Sequence, residues 1–488
     1  MSATMTMEAP RASSRSSIRI EPQSLDQDGD PRSLDIPEPA SPPAELKGEW
    51  IKEASCHATM LIAGWSDSSS GPLIPYIQSY FGVSYTVVSM LFVGQAVGFL
   101  ASAAAMHFIV DRFGLGKAIV FGAALQALAY ALLIPGFAFA AFPVIYSISG
   151  FGMAIQDSMA NVYVASLPNA DRKLGFLHAS YGLGAALCPL AATAFASHFP
   201  RHFTKFWTIS LAIALLNVAV LLYAFKFNYV IDTDESGEVP RPPSPREEVA
   251  LEAQTPPLGG DSSSVKSLAA ASASPATYPP EIHTEGMRKV RAHKEPSVLR
   301  QALLNRTTIL ASIFILFYVG SEVSMGGWIV TFLIDNRGGG TSAGYVATGF
   351  WLGLTVGRAI LNPLNRLVGE KRIVYVYLLL ALALEFAVWF ADSFIGNAVV
   401  VSLVGVIIGP LYPIMMSLLT KLLPRKQHGP SIAFVAAFGQ CGSAVFPFIT
   451  GALAQKFSPV VLQPVLVVLF GVQTAIWFFV PDVARKKE

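Results

Sequence analysis

The sequence predicts an all-α polytopic membrane protein, with twelve transmembrane helices in two pseudo-symmetric halves of six. Three observations predict it: a shortage of charge, twelve apolar runs of crossing length, and an internal repeat. Of the 488 residues, 53% are hydrophobic and only 14% charged, against about 25% charged in a typical soluble chain. The charge is also unevenly spread, since 40 of the 66 charged residues fall in 1–53, 227–305 and 482–488. Residues 68–110 and 118–156 contain no Asp, Glu, Lys or Arg at all. A soluble enzyme, a nucleic-acid binder and a disordered scaffold are thereby excluded as descriptions of the whole chain. The net charge of +2 gives no attraction for a polyanion.

A helical crossing needs about 20 mostly apolar residues. Such runs lie near 55–80, 84–110, 117–137, 139–167, 173–199 and 204–226, and again near 306–334, 341–365, 372–392, 394–421, 428–456 and 459–481. They lack period-two alternation and exceed the length of barrel strands, which leaves helices. The chain therefore divides into a tail 1–54, a half 55–226, a linker 227–305, a half 306–481 and a tail 482–488. The linker is rich in Pro, Ser and Glu, so disorder is expected there and in the first tail. No apolar signal-peptide core precedes residue 54, and the first span is expected to serve as the membrane signal.

Basic residues in short loops set the orientation. With the N-terminus inside, Arg112, Lys117, Arg172, Lys173, Arg366, Lys371, Arg372, Lys421, Arg425 and Lys426 collect on the cytosolic side. Arg201, Lys205, Arg337 and Lys456 fall opposite. Both termini and the linker are expected in the cytosol, in the plasma membrane or else a vacuolar or other internal membrane. Cys56, Cys188 and Cys441 have no paired spacing and read as small core residues rather than disulfides or metal ligands.

The repeat has a shift of 255 residues. It carries Asp67 onto Glu322, Gly71 onto Gly326, Gly98 onto Gly353, Gly114 onto Gly369, Lys117 onto Arg372 and Gly150 onto Gly405. A shift of 258 then places Gly184 on Gly442 and Pro189 on Pro447. Two like-oriented halves of six helices imply a substrate site between them near the midplane, with access alternating as the halves rock.

Ionisable groups inside a bilayer are costly, so Asp67, Asp157, His178, Glu322, Arg358 and Glu385 are functional candidates. Asp157 shares a helical face with Asn161 and is flanked by Gln156, giving the fourth span a polar stripe. It is the first candidate for proton coupling, with Asp67 the second. Trp351, Thr355, Arg358 and Asn362 form one face of the eighth span. Arg358 there either neutralises Asp157, grips an anionic or hydroxyl-rich substrate, or reaches toward the end of its helix. Asp67 and Glu322 each precede a stretch expected to loosen the helix, Gly71-Pro72…Pro75 and Gly326-Gly327. His178, Trp351, Tyr412 and Gln440 complete the substrate-binding candidates, since aromatics stack on sugar rings and amides bond hydroxyls. Glu385 has no assigned role.

The loop Asp111-Arg112-Phe113-Gly114-Leu115-Gly116-Lys117 resembles the signature between helices 2 and 3 of the major facilitator transporters, departing from it at Leu115. That resemblance implies that Asp111, Arg112, Gly114 and Lys117 gate the cytoplasmic side. The stretch Gly150…Gln156-Asp157…Ala160-Asn161 looks like the fourth helix of the fucose-permease type of proton symporter. Gly64-Trp65-Ser66-Asp67…Gly71-Pro72 and Gly175…His178-Ala179-Ser180-Tyr181-Gly182 are similar to fungal permeases of the bypass-of-stop-codon type. The family implies a secondary active transporter for a small organic solute, monomeric and without cofactor. The expected activity is proton-coupled symport of a sugar-like nutrient, with proton-driven efflux or a nutrient-sensing transceptor as alternatives. Ser244-Pro245 and the Ser-rich stretch 11–19 are the features that a sensor would use. No Walker-type loop is present, which argues against ATP drive, and a membrane enzyme is not expected.

Overall fold

Inside a bilayer the backbone has no water to bond, so each crossing must satisfy its own amides as a helix. The computed structural model describes residues 46–226 and 298–482. The expectations for the first tail up to residue 45, for most of the linker including Ser244-Pro245, and for 483–488 lie outside the described residues. Eight described stretches are long and apolar enough to cross a membrane. One of them, Tyr85–Leu133, has 49 residues, about 74 Å of helix, and is two crossings. The first, fourth and eighth spans, which carry Asp67, Asp157 and Arg358, bring the count to twelve.

The first span is two helices, Leu46–Ser68 and Ser70–Phe81. Pro72 and Pro75 have no N–H for the carbonyls one turn back. Just before the break the serine hydroxyls bond the preceding turn, Ser68 Oγ to Gly64 O at 3.0 Å and Ser69 Oγ to Ser66 O at 2.7 Å. The helix starts ahead of the expected residue 55, and Glu53 in this extra stretch pairs with Lys173 at 2.6 Å. The second and third spans share Met90–Leu133, divided at Gly114, whose φ of 71° favours glycine. Its repeat mate Gly369, with φ 92°, divides the eighth and ninth spans in the same way.

The fourth to sixth spans are Ala141–Ala165, Ala170–His198 and Phe206–Phe225. The seventh, Arg306–Arg337, is preceded by a short helix, Val298–Leu304, inside the sequence-assigned linker. The eighth is Gly344–Ile360 continued by Asn362–Val368, and the ninth is Glu370–Phe390. The tenth is broken into Phe394–Ile408 and Leu411–Leu422. The eleventh and twelfth are Arg425–Phe457 and Leu462–Phe479. The seventh span runs unbroken through Gly326-Gly327, so the loosening expected there does not occur. Those glycines provide closeness instead, because side-chain atoms at either would overlap Trp351 or Phe92.

The repeat is visible in the helix crossings. Gly98 lies against the Ser147 carbonyl and its mate Gly353 against that of Ser402, the mate of Ser147. Gly150 meets the Gln95 carbonyl as Gly405 meets that of Phe350, and Gly184 meets Leu61 as Gly442 meets Leu316. Every one of these is a backbone contact that only glycine permits. Gly184→Ala and Gly442→Ala are therefore each expected to push a pair of helices apart at a cost of about 1–3 kcal/mol. Thermal unfolding in detergent checks this, and the two losses should match because the contacts do.

Between the halves, the second span packs on the eleventh, the fifth on the eighth, and the segment Ser70–Phe81 on the seventh. The first two pairings exchange under the repeat. In the third, Gly71 meets the carbonyl of its own repeat mate, Gly326, so the pseudo-two-fold axis passes there. An even number of crossings puts residues 46 and 479 on one face, here the end face. The loops after residues 81, 133, 198, 337, 390 and 457 lie on the other, the far face.

Candidate functional site

Asp67 ends the last turn before the break in the first span. Its Oδ1 accepts from Gln95 Nε2 at 3.1 Å and its Oδ2 from Tyr181 OH at 2.7 Å. Glu322 holds the matching place on the seventh span, but its partner is ionic. Arg358 Nη2 lies 3.3 Å from both carboxylate oxygens and 3.4 Å from Tyr318 OH. Arg358 Nε donates to Gly409 O at 3.4 Å. That carbonyl is available because Pro413, one turn on, has no N–H to offer it. The repeat mates thus share an acid and differ in what holds it. The mate of Gln95 is Phe350, and the mate of Arg358 is Ala103.

Asp157 accepts from Asn161 Nδ2 through its Oδ1 at 3.0 Å and its backbone oxygen at 2.9 Å. These acids face one another across the middle of the molecule. Asp67 is in electrostatic reach of Asp157 and Glu322, and Tyr412 is in reach of Asp157, Glu322 and Arg358. Tyr318 and Tyr412 bring their rings to 6.2 Å. The ion pairs found among the described residues do not include Asp67 or Asp157. Both rely on neutral donors, in a site whose cation is already taken by Glu322.

Several sequence-predicted residues are placed differently. Arg358 pairs with Glu322 and not with Asp157. Gln156 turns away from the cavity, because one residue is 100° of helix from Asp157. It is 1% exposed and sits in a buried amide chain, donating to Gln126 Oε1 at 2.8 Å and accepting from Asn217 Nδ2 at 3.0 Å. Trp351 is buried with its ring against Gly326, so the eighth-span face that it shares with Arg358 meets the seventh span. Thr355 on that face meets Gly182 of the fifth. Asn362 is exposed and donates to Arg358 O at 3.2 Å. Gln440 is half-buried, its Oε1 accepting from Ser443 Oγ at 3.4 Å. His178 is exposed beside Arg358, in mid-helix.

Both hydrogen bonds that join the halves among the described residues come from Tyr85 at the far face. Its OH donates to Asp335 Oδ2 at 2.6 Å and its N–H to Gln455 Oε1 at 2.9 Å. Its ring meets Trp328 edge-on at 5.9 Å, and Ser89 fills the space beside Gly451. The far face is closed. At the end face Asp111, Arg112 and Lys117 are exposed, and Asp111 pairs with His107 of its own helix at 3.3 Å. Gly114 serves as the turn between two spans.

Sequence reasoning missed Gln95, Tyr318, Tyr85, Asp335 and Gln455. Tyr318 was legible, one turn from Glu322. Gln95 was legible as the strongest hydrogen-bonding side chain in a stretch without charge. The Tyr85 contacts join residues 250 and 370 positions apart and left no local signal.

The family described as Major Facilitator Superfamily matches residues 57–340 and 310–488. Bypass of stop codon protein 6 of Saccharomyces cerevisiae is 25% identical over 453 residues, covering 90% of this chain and 84% of that protein. A glucose/galactose transporter of Brucella abortus is 25% identical over 403 residues, covering 78% of this chain and 82% of its own. Among solved structures, the transporter FucP in its outward conformation superposes with a TM-score of 0.56 at 16% identity, covering 89% of this chain and all of that one.

Proposed function

This chain belongs to the Major Facilitator Superfamily, and from that premise we propose that it moves a monosaccharide-like solute together with protons, as a monomeric secondary active carrier. It is a multi-pass membrane transporter of a small molecule and not an enzyme. The observation that carries the proposal is the unequal treatment of the three central acids. Glu322 is neutralised by Arg358, whereas Asp67 and Asp157 have only neutral donors. A membrane-embedded carboxylate without a counter-ion gains by taking a proton, so these two are the coupling sites. Gln95, Asn161, Tyr181 and Tyr412 supply the hydrogen bonds and ring faces that suit a hydroxyl-rich ring. The Brucella relative is a glucose/galactose transporter, and a solved neighbour is a fucose:proton symporter. Both names support a sugar, and the second supports a proton. The basic residues near the end face support its placement in the cytosol, with the linker on that side. The plasma membrane suits nutrient uptake.

Uptake of labelled monosaccharides into liposomes holding the full chain tests the proposal. A gradient of one pH unit should drive about tenfold accumulation for each proton carried. Asp157→Asn and Asp67→Asn should each abolish accumulation while leaving exchange of labelled for unlabelled sugar. Unchanged accumulation in both variants would remove Asp67 and Asp157 as the coupling sites, no accumulation in the parent would remove protons from the mechanism, and no flux of any sugar would remove the solute class.

A further inference from the structure

Glu385 is a carboxyl that the central cavity does not use. It is wholly buried, with neither oxygen in a hydrogen bond. Val374, Tyr377, Leu378, Ala381, Glu385 and Val388 form the buried face of the ninth span, so its side chain points into the C-terminal half rather than to lipid. That span packs on the tenth and the twelfth. Trp477 Nε1 donates to Lys371 O at 2.9 Å, which fixes the register of the antiparallel ninth and twelfth spans. Glu385 lies fourteen residues beyond Lys371, and Gln463 lies fourteen before Trp477, so the two share a level. Gln463, and Asn397 near the start of the tenth span, are also wholly buried with both amide atoms unbonded. Neither Phe394–Ile408 nor Leu462–Phe479 contains a charged residue. A carboxylate charge here has no counter-ion, and the neutral acid is the form that fits.

One cation stands near. Arg337, in the last turn of the seventh span, donates through Nη2 to Trp389 O at 2.9 Å and to Val388 O at 3.4 Å. Those carbonyls lie within one turn of Glu385, toward the far face. Nη1 reaches Asp392 Oδ1 at 3.8 Å, and the Arg337 Nε is buried without a partner. The unbonded Nε therefore belongs to a guanidinium whose Nη2 is held by carbonyls three and four residues beyond Glu385. Arg337 is also two residues from Asp335, which closes the far face by accepting from Tyr85.

We infer that Glu385 is a proton-binding site outside the central cavity, loaded while the far face is closed and emptied when it opens. Opening releases Asp335 from Tyr85 and frees the last turn of the seventh span. Arg337 then turns from the ninth-span carbonyls to the carboxyl. The Glu385 O–H bond breaks, the proton leaves to water entering from the far face, and a carboxylate–guanidinium pair remains. Closure reverses each step. The site depends neither on the identity of the solute nor on Asp157.

The test uses the full chain in lipid nanodiscs, where both faces meet one pH. It carries Cys441→Ser and a Ser89→Cys reporter that is covered while the far face is closed. Maleimide labelling is followed from pH 5 to 9, each rate divided by that of the same cysteine in the unfolded chain at that pH. The corrected rate should rise by about tenfold per pH unit along a one-proton curve before levelling. Glu385→Gln copies the protonated acid and should stay slow at every pH, as should Arg337→Gln. Asp67→Asn and Asp157→Asn should keep the curve. A flat curve in the parent, or the parent's curve in Glu385→Gln, overturns the proposal. So does a Glu385→Gln chain that melts below its parent at pH 5, where the parent should also carry a neutral acid.

Discussion

Replacing Arg358 by Gln is expected to lower stability by about 3–5 kcal/mol, because it leaves Glu322 as a buried charge without a partner. Glu322→Gln should cost about as much for the opposite reason. Both side chains are largely sequestered, with exposures of 18% for Arg358 and 8% for Glu322, so water does little to soften either loss. The double variant Glu322→Gln, Arg358→Gln should regain most of the stability while transport stays lost. The exchange Glu322→Arg, Arg358→Glu should also rescue folding, whereas exchanging Asp157 with Arg358 should not. Thermal unfolding in detergent, paired with sugar exchange in liposomes, separates the two effects. A double variant no more stable than the singles would show that the two charges do not act as a pair.

Gly71→Val should stop the cycle by a different route. Gly71 lies against the backbone carbonyl of Gly326 where the halves cross. Any side chain there must push backbone, which cannot rotate out of the way. An overlap worth about 1–3 kcal/mol shifts the balance between closed and open far faces by roughly 5- to 150-fold. The expected results are a comparable fall in turnover and rapid labelling of Ser89→Cys, slow in the parent. Each half should keep its own stability, since the overlap lies between them. Slow labelling together with normal turnover would place the crossing elsewhere.

Most of the scaffold was legible in the sequence because the bilayer enforces it. Helix count, the two halves and the paired turns at Gly114 and Gly369 followed from hydropathy, basic loops and a repeat. The candidate site was legible by residue type and not by pairing. Asp67, Asp157, Glu322 and Arg358 all reach the centre, yet the choice of Glu322 as the partner of Arg358 depends on how two helices rotate. Periodicity gives the face of one helix and not its angle to the next. For the same reason Gln156 looked like a member of the polar stripe of Asp157 and belongs instead to an internal amide chain. The seventh span shows the limit of composition. Two glycines after Glu322 read as a weak point, but a helix flanked by close neighbours holds its hydrogen bonds, and the glycines set distance rather than flexibility. In the tenth span, by contrast, the sequence reads as one continuous run, and the break at Pro410 and Pro413, whose freed carbonyl meets Arg358, is seen only in the structure.

That one tyrosine makes both polar links across the far face has a consequence for how the molecule keeps time. A neutral hydrogen bond contributes about 0.5–1.5 kcal/mol net and one to a charged group about 1.5–3, so the Tyr85 fastening totals roughly 2–4.5 kcal/mol. At room temperature that corresponds to an occupancy ratio of about 30 to 2,000 between fastened and released molecules. The closed face is therefore a resting preference and not a lock: thermal motion releases it unaided many times over, and a weakly held solute has enough differential affinity to decide which way the ratio leans.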